Sequence, residues 1–259
     1  SSKMASPQNN NGEEQQAFEH QTAGHAGSML KQGKDKIMKP VSSNELSFYE
    51  GFYKQFPAVQ QFAPKYYGFE KKEGKTYIIM EDLTSQFRKP CILDIKMGTS
   101  SVGEDASPEK KAAMRAKDES TTTVSLGIRI CGFRAFQKVT SEYVTKDKSY
   151  GKKVKDDGFQ DALALFFYTG ESYRKMVVDA FVKLLDQILE FFESQKDLRF
   201  YSSSLLFLFE GDEDDHKECK VDLRMIDFAH VHPIKDDGKD EGYILGLKNL
   251  IQIMKNIRD

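Results

Sequence analysis

The nonapeptide Pro90-Cys91-Ile92-Leu93-Asp94-Ile95-Lys96-Met97-Gly98 constrains this chain more than any other stretch. Its apolar run reads as a short buried strand, yet it carries two residues that do not suit a core, Asp94 and Lys96. Spaced two apart, they share one face of the strand. Gly98 ends it where the backbone can turn sharply. A carboxylate and an ammonium at the mouth of a strand can hold a hydroxyl and a phosphate side by side. On pattern alone, a partly buried ion pair is the simpler account.

With 259 residues there is ample core for one large domain or two lobes sharing a cleft. The formal net charge is only −2, so an anionic ligand must be held by local clusters of Lys and Arg. Three widely spaced cysteines, Cys91, Cys131 and Cys219, make neither a disulfide framework nor a metal knuckle. No signal peptide and no membrane-length apolar run is recognisable. The expected setting is intracellular, cytoplasmic or nuclear, for a monomer with no nucleic-acid partner and no membrane span.

Residues 1 to about 18 are polar and expected to be disordered. A glycine-containing run, His20 to Ser28, precedes a hairpin expected to turn near Gln32-Gly33. After Lys39-Pro40, Ser42-Ser43-Asn44-Glu45 reads as a capping box opening a helix to about Gln55. Alone, Lys39 and Glu45 read as a surface pair. The apolar strand Tyr77 to Met80 runs into Glu81-Asp82-Leu83, which suits a hinge.

Ser107-Pro108-Glu109 starts a second helix. On it Lys110, Met114 and Lys117 share one face, with the lysines roughly 10 Å apart along the axis. Ala112, Ala113 and Ala116 are expected to let the other side pack closely. A solvated basic face is the plain alternative, as it is for the basic loop Lys146 to Lys153. Helices are expected over 159–168 and 171–193, the second with a core stripe of Val177, Phe181, Leu184, Ile188 and Phe191. A strand over Leu205 to Phe209 follows. The acidic run Gly211 to Asp215 reads as a solvated turn rather than a Mg²⁺ site. Asp227, a lone carboxylate among Met225, Ile226 and Phe228, must be paired or bind metal. His230, by pattern, is a hydrogen-bonded structural histidine. Gly242 to Ile257 is an amphipathic closing helix.

Pro90, Asp94, Lys96 and Gly98 match the P-x-x-x-D-x-K-x-G signature, and the chain resembles the inositol polyphosphate kinases. Leu126-Gly127-Ile128-Arg129 (L-G-x-R), Ser203-Ser204-Leu205-Leu206 (S-S-L-L), Ile226-Asp227-Phe228 and Gly246 to Leu250 follow in the family's order. The resemblance implies an α+β, two-lobed, protein-kinase-like fold. Its antiparallel N-lobe would span 19–83 and its C-lobe 84–259, with a helical inositol-binding insert at about 104–120. It implies ATP and Mg²⁺ as cofactors and inositol phosphates, the hexakisphosphate and the trisphosphate among them, as partners.

Residue by residue, the resemblance makes Lys39 the lysine on the ATP phosphates and Glu45 its partner. Glu81 and Leu83 lie at the adenine edge, and Asp94 binds the ribose hydroxyls. Lys96 contacts the transferred phosphoryl group and its acceptor, and Asp227 holds Mg²⁺. Lys110, Met114, Lys117, Arg129 and His230 join Lys96 in binding substrate. Gly103 to Ala106 and Cys131-Gly132 look most like the inositol hexakisphosphate kinase branch, whose product is a diphosphoinositol polyphosphate. Ala113 and Met114 stand where multikinase members carry glutamines. Kinases of lower inositol phosphates and a catalytically silent binding domain are the alternatives.

Overall fold

The computed structural model describes residues 16–17 and 29–259. Five antiparallel strands, β1 (Gln16–Ala17), β2 (Leu30–Gln32), β3 (Lys36–Pro40), β4 (Tyr66–Lys72) and β5 (Lys75–Glu81), make a first sheet in the order β1-β2-β3-β5-β4. Gln16–Ala17 therefore belong to a strand, against the expectation of disorder up to residue 18. The rest of that tail and the glycine run 20–28 lie outside the described residues. The hairpin between β2 and β3 turns at residues 33–35, as expected.

Three short helices, α1 (Ser43–Glu50), α2 (Phe52–Gln55) and α3 (Pro57–Phe62), separate β3 from β4. The expected single helix to Gln55 is broken because Gly51 leaves the helical region. The Ser42 hydroxyl caps α1 by accepting the Glu45 N–H at 3.2 Å.

After residues 82–89 the chain enters a second antiparallel sheet, ordered β11-β10-β6-β7-β8. Its central strand β6 (Pro90–Met97) pairs with β7 (Ile128–Gln137) and with β10 (Ser204–Glu210); β8 (Glu142–Lys146) and β11 (Val221–Ile226) flank them. The alternation read from the nonapeptide decides which face is which. Cys91, Leu93, Ile95 and Met97 enter the main core with Leu205, Phe207 and Phe209, while Ile92, Asp94 and Lys96 point the other way. Gly98 ends the strand at φ 101°, a conformation open to glycine.

Between β6 and β7 stand α4 (Pro108–Glu119) and α5 (Thr123–Leu126); α6 (Lys148–Lys153), a 3₁₀ turn, α7 (Phe159–Phe166) and α8 (Lys175–Ser194) follow β8. A two-stranded ribbon, β9 (Leu198–Tyr201) with β12 (His230–Pro233), and α9 (Glu241–Arg258) complete the fold.

α8 starts four residues later than expected. The reason is Arg174, whose buried guanidinium donates to the Gly211 and Glu213 carbonyls and pins the turn before the helix. Its buried stripe is also wider. Val178, Val182, Leu185 and Phe192 are buried with Val177, Phe181 and Ile188, whereas Leu184 and Phe191 are half-buried. α8 packs both on α9 and on the sheet, so one narrow stripe does not suffice. The acidic run is the turn expected of it, and Asp215 caps α8 by accepting the Met176 and Val177 N–H groups.

Candidate active site

The face of β6 turned away from the main core is the base of the candidate site. Directly opposite Ile92, Asp94 and Lys96 on β10 lie Leu208, Leu206 and Ser204, and on β11 the row continues through Asp222, Arg224 and Ile226. Leu206 and Ile226 are half-buried and form, with Leu83, Phe87, Ile92 and Leu208, an apolar cluster separate from the main core. It lies beside the stretch joining the two sheets and has the flat, greasy character that suits the face of a base.

The Glu81 carboxylate accepts from Arg224 at 3.1 Å and from the Lys65 N–H, and the Glu81 N–H donates to the Lys65 carbonyl at 2.9 Å, so neither group is open to a ligand. The Leu83 N–H meets no protein acceptor among the described residues.

At the other end of the cleft, Lys39 on β3 contacts Glu45 at 3.1 Å and Asp227 at 2.9 Å. Burial alone would favour the neutral amine, but Asp227 and Glu45 outweigh it and hold the lysine pKa above its ordinary value. Glu45 also accepts the Phe228 N–H at 2.8 Å, and the Phe228 ring stacks on Phe48 with centroids 4.2 Å apart. One helix, α1, thus positions both the lysine and the segment bearing Asp227. Asp227 itself has φ 66°, a left-handed conformation that costs a non-glycine residue energy. Its side chain is 39% exposed.

Asp94 is buried, and its Oδ1 has no hydrogen-bond partner among the described residues. It forms no ion pair with Lys96, so the simpler account of the nonapeptide does not hold. Its pKa is raised from 3.8 to about 7, first by burial and next by the charge of Asp227, against a hydrogen bond from Ser204 and the charges of Lys39 and Lys96. The folded protein then keeps a proton that the unfolded chain releases, between the ordinary value and about 7. Stability of the ligand-free protein therefore falls as pH rises through that window. In metal- and nucleotide-free buffer, the wild type should lose a few degrees more than Asp94→Asn in melting temperature between about pH 5.5 and about pH 8. Equal losses would remove Asp94 as the cause.

Lys96 is half-buried and lies across the strand pair from Arg129 on β7. Burial and then the Arg129 charge lower its pKa. His230 is pushed below its ordinary pKa by burial and then by Lys110, with Lys96 among the lesser contributors. Lys96 thus lies within electrostatic reach of Arg129 and His230, and His230 within reach of Lys110.

The helix α4 stands away from the body. Ser107 caps it by accepting the Lys110 N–H at 3.2 Å, and its far end is anchored by buried Asp118, which accepts the Ser101 N–H at 2.8 Å and hydroxyl at 2.6 Å. Lys110 and Lys117 are exposed and Met114 is half-buried. Lys117 joins the cluster only through the helical phase it shares with Lys110. The expected packing of Ala112, Ala113 and Ala116 is not found: all three are exposed, because the helix is held by its ends rather than by a face. The entry loop is docked by two carboxylates of the Gly103 to Ala106 run. Glu104 accepts from the Tyr201 hydroxyl at 2.8 Å, and Asp105 lies 3.4 Å from His232.

Some of what orders the site carried no signal in its own stretch of sequence. Ser204, to which no chemistry was assigned, bonds Asp94, and Ser203 donates to the Ile226 carbonyl at 3.0 Å. The basic loop is the helix α6, seated so tightly on β7 that a Cβ at Gly151 would lie 1.8 Å from the Ile130 carbonyl oxygen. Lys155 beyond it donates to the Ser120 carbonyl at the end of α4. The basic loop therefore spans from the strand of Arg129 to the helix of Lys117.

The sequence pattern of the inositol polyphosphate kinase family matches residues 77–255, from β5 through most of α9. The chain belongs to the inositol polyphosphate kinase family. Among curated members, inositol hexakisphosphate kinase 3 of Mus musculus is 38% identical over 202 residues, 71% of this chain and 51% of that protein. Inositol hexakisphosphate kinase 1 of Rattus norvegicus is 34% identical over 238 residues, 73% of this chain and 54% of that protein. The chain thus spans about half the length of the curated relatives it matches. Among solved members, inositol phosphate multikinase Ipk2 from S. cerevisiae, in complex with ADP and Mn²⁺, superposes with a TM-score of 0.75 at 30% identity, covering 87% of this chain and 100% of that one. The kinase-like α+β architecture expected from the signature is the architecture of this family.

Proposed function

We propose that this chain is an ATP-dependent inositol phosphate kinase that phosphorylates inositol hexakisphosphate to a diphosphoinositol polyphosphate. The observation that carries this reading is the division of the cleft. A half-buried lysine bonded to two carboxylates, with an Asp94 oxygen unpartnered among the described residues, makes one half, and the electrostatically coupled Lys96, Arg129, Lys110 and His230 make the other. The first half suits a nucleoside triphosphate and the second a polyanionic acceptor. The hexakisphosphate kinase relatives support the choice of acceptor.

Lys39, on its strand, meets the nucleotide phosphates, and Glu45 keeps it there. The open Leu83 N–H and the Leu206 and Ile226 side chains receive the base, and Asp94 Oδ1 accepts from a ribose hydroxyl. No group of three His, Cys, Asp or Glu side chains able to hold a metal exists among the described residues. A divalent ion therefore fits with Asp227 as its protein ligand and phosphate oxygens and water as the others. Bound Mg²⁺ would supply charge neutralisation on the β- and γ-phosphate oxygens.

In the transfer, a bond forms between an acceptor phosphate oxygen and the γ-phosphorus. The bond to the β-bridging oxygen breaks, and ADP leaves. The acceptor oxygen is already anionic, so no strong base is needed, and the neutral His230 imidazole serves as a hydrogen-bonding group. Lys96 stands between donor and acceptor and offsets the repulsion between them.

A second reading, a kinase of lower inositol phosphates, is favoured by the close superposition on the multikinase. Incubation with Mg²⁺-ATP and either inositol hexakisphosphate or inositol 1,4,5-trisphosphate, with products resolved by charge, decides between them. A product more anionic than the hexakisphosphate is the expected result. Turnover of the trisphosphate alone would transfer the chain to the second reading. Binding without turnover of either would make it a silent inositol phosphate sensor.

A further inference from the structure

The stretch that leaves β5 is tied to the β2–β3 hairpin by a polar clasp outside the reaction chemistry. Asp82, whose side chain is 1% exposed, accepts the Thr84 N–H at 2.9 Å and the Thr84 hydroxyl at 2.6 Å on Oδ1. Its Oδ2 accepts from Lys31 of β2. Lys31 donates as well to the Lys34 carbonyl at 3.0 Å, and the Asp82 N–H donates to the Asp35 carbonyl at 2.8 Å. A carboxylate this deeply buried needs a cation beside it, and losing the cation leaves an uncompensated charge. Lys31 is the cation that contacts Asp82 among the described residues.

The position of this clasp gives it a consequence for the nucleotide. β2 and β3 form one hairpin, and β3 carries Lys39. The residue after Asp82 is Leu83, with its open N–H and its place in the apolar cluster under the cleft. Two points must keep a fixed spacing for one nucleotide to reach both: the ammonium that meets its phosphates and the backbone edge that meets its base. The clasp joins the element bearing the first to the element bearing the second. Among the described residues, no hydrogen bond or ion pair links the Asp82, Thr84 and Lys31 side chains to β6, β7 or α4.

We propose that Lys31 is a positioning residue for the nucleotide, acting through Asp82 to hold the base-binding edge in register with Lys39. This rests on the kinase reading, but binding of ADP alone tests it without turnover. In the full chain, Lys31→Met should weaken ADP binding and raise the KM for ATP about tenfold, while kcat and the acceptor KM stay within about twofold. Lys31→Arg, which retains the charge, should recover most of the loss. Asp82→Asn preserves an acceptor for Thr84 and removes the buried charge, so adding Lys31→Met to it should change ADP affinity by less than about twofold.

Melting temperatures of the wild type and the four variants separate this role from a purely structural one. A lowered melting temperature with ADP affinity intact in Lys31→Met overturns the proposal. So do equal changes in both KM values, failure of arginine to rescue, and a wild type that binds no ADP. If the wild type binds ADP but transfers no phosphoryl group, the ADP titrations still decide the clasp, and the kinase reading alone fails.

Discussion

Asp227→Asn should leave the protein folded and reduce phosphoryl transfer by at least about a thousandfold. The two halves of this expectation have separate causes. Asparagine is close in shape to aspartate and, like it, tolerates the left-handed conformation found at this position, φ 66°. Lys39 keeps Glu45 at 3.1 Å, and the amide oxygen of asparagine can still accept from it. Glu45 still accepts the Phe228 N–H, so the segment stays docked on α1. The stability cost should be within about 1.5 kcal/mol, the range of one hydrogen bond. Activity is another matter, because a neutral amide replaces the carboxylate to which the divalent ion is assigned. Melting curves and steady-state rates of the purified variant check both halves. A variant with ordinary turnover would remove Asp227 from the metal role.

Lys96→Met should lower kcat by about a hundredfold or more while affecting nucleotide affinity little. Lys96 lies beside Arg129, whose charge contributes to its lowered pKa, and it forms no ion pair among the described residues. Removing its charge relieves a like-charge contact with Arg129 but withdraws one of the cations that favour the ionised form of buried Asp94, so the two effects oppose and the net change in stability should be small. What is lost is the cation between the triphosphate and a polyanionic acceptor, where repulsion during transfer is greatest. The rate at saturating acceptor, rather than ADP affinity, is the quantity to measure. If the variant loses only acceptor affinity, Lys96 is a binding lysine and the transfer role passes elsewhere in the cationic cluster.

How much of this site was legible beforehand depended on how local each signal was. That Asp94 and Lys96 share a strand face was readable from their spacing in an apolar run, while their roles at the site came from the family resemblance. A strand end and a capped helix six residues apart suggested only a surface Lys39–Glu45 pair, and the family resemblance placed it at the site. Local patterns could not supply contacts between distant segments. The Glu45 bond to Phe228 spans 183 residues, and the Glu104 bond to Tyr201 spans 97. The alanine face of α4 was misjudged because small residues permit close packing without causing it. The delayed start of α8 depends on Arg174 finding carbonyls 37 and 39 residues away, which helical periodicity does not register.

The central claim is that one cleft brings ATP and a highly phosphorylated inositol together for transfer. Phosphorus NMR of the wild-type protein with Mg²⁺-ATP and inositol hexakisphosphate tests it most directly. Coupled diphosphate resonances on the inositol ring, growing in step with ADP and absent with Asp227→Asn, are the predicted result. ADP accumulating with inorganic phosphate alone, and an unchanged inositol hexakisphosphate spectrum, would contradict it.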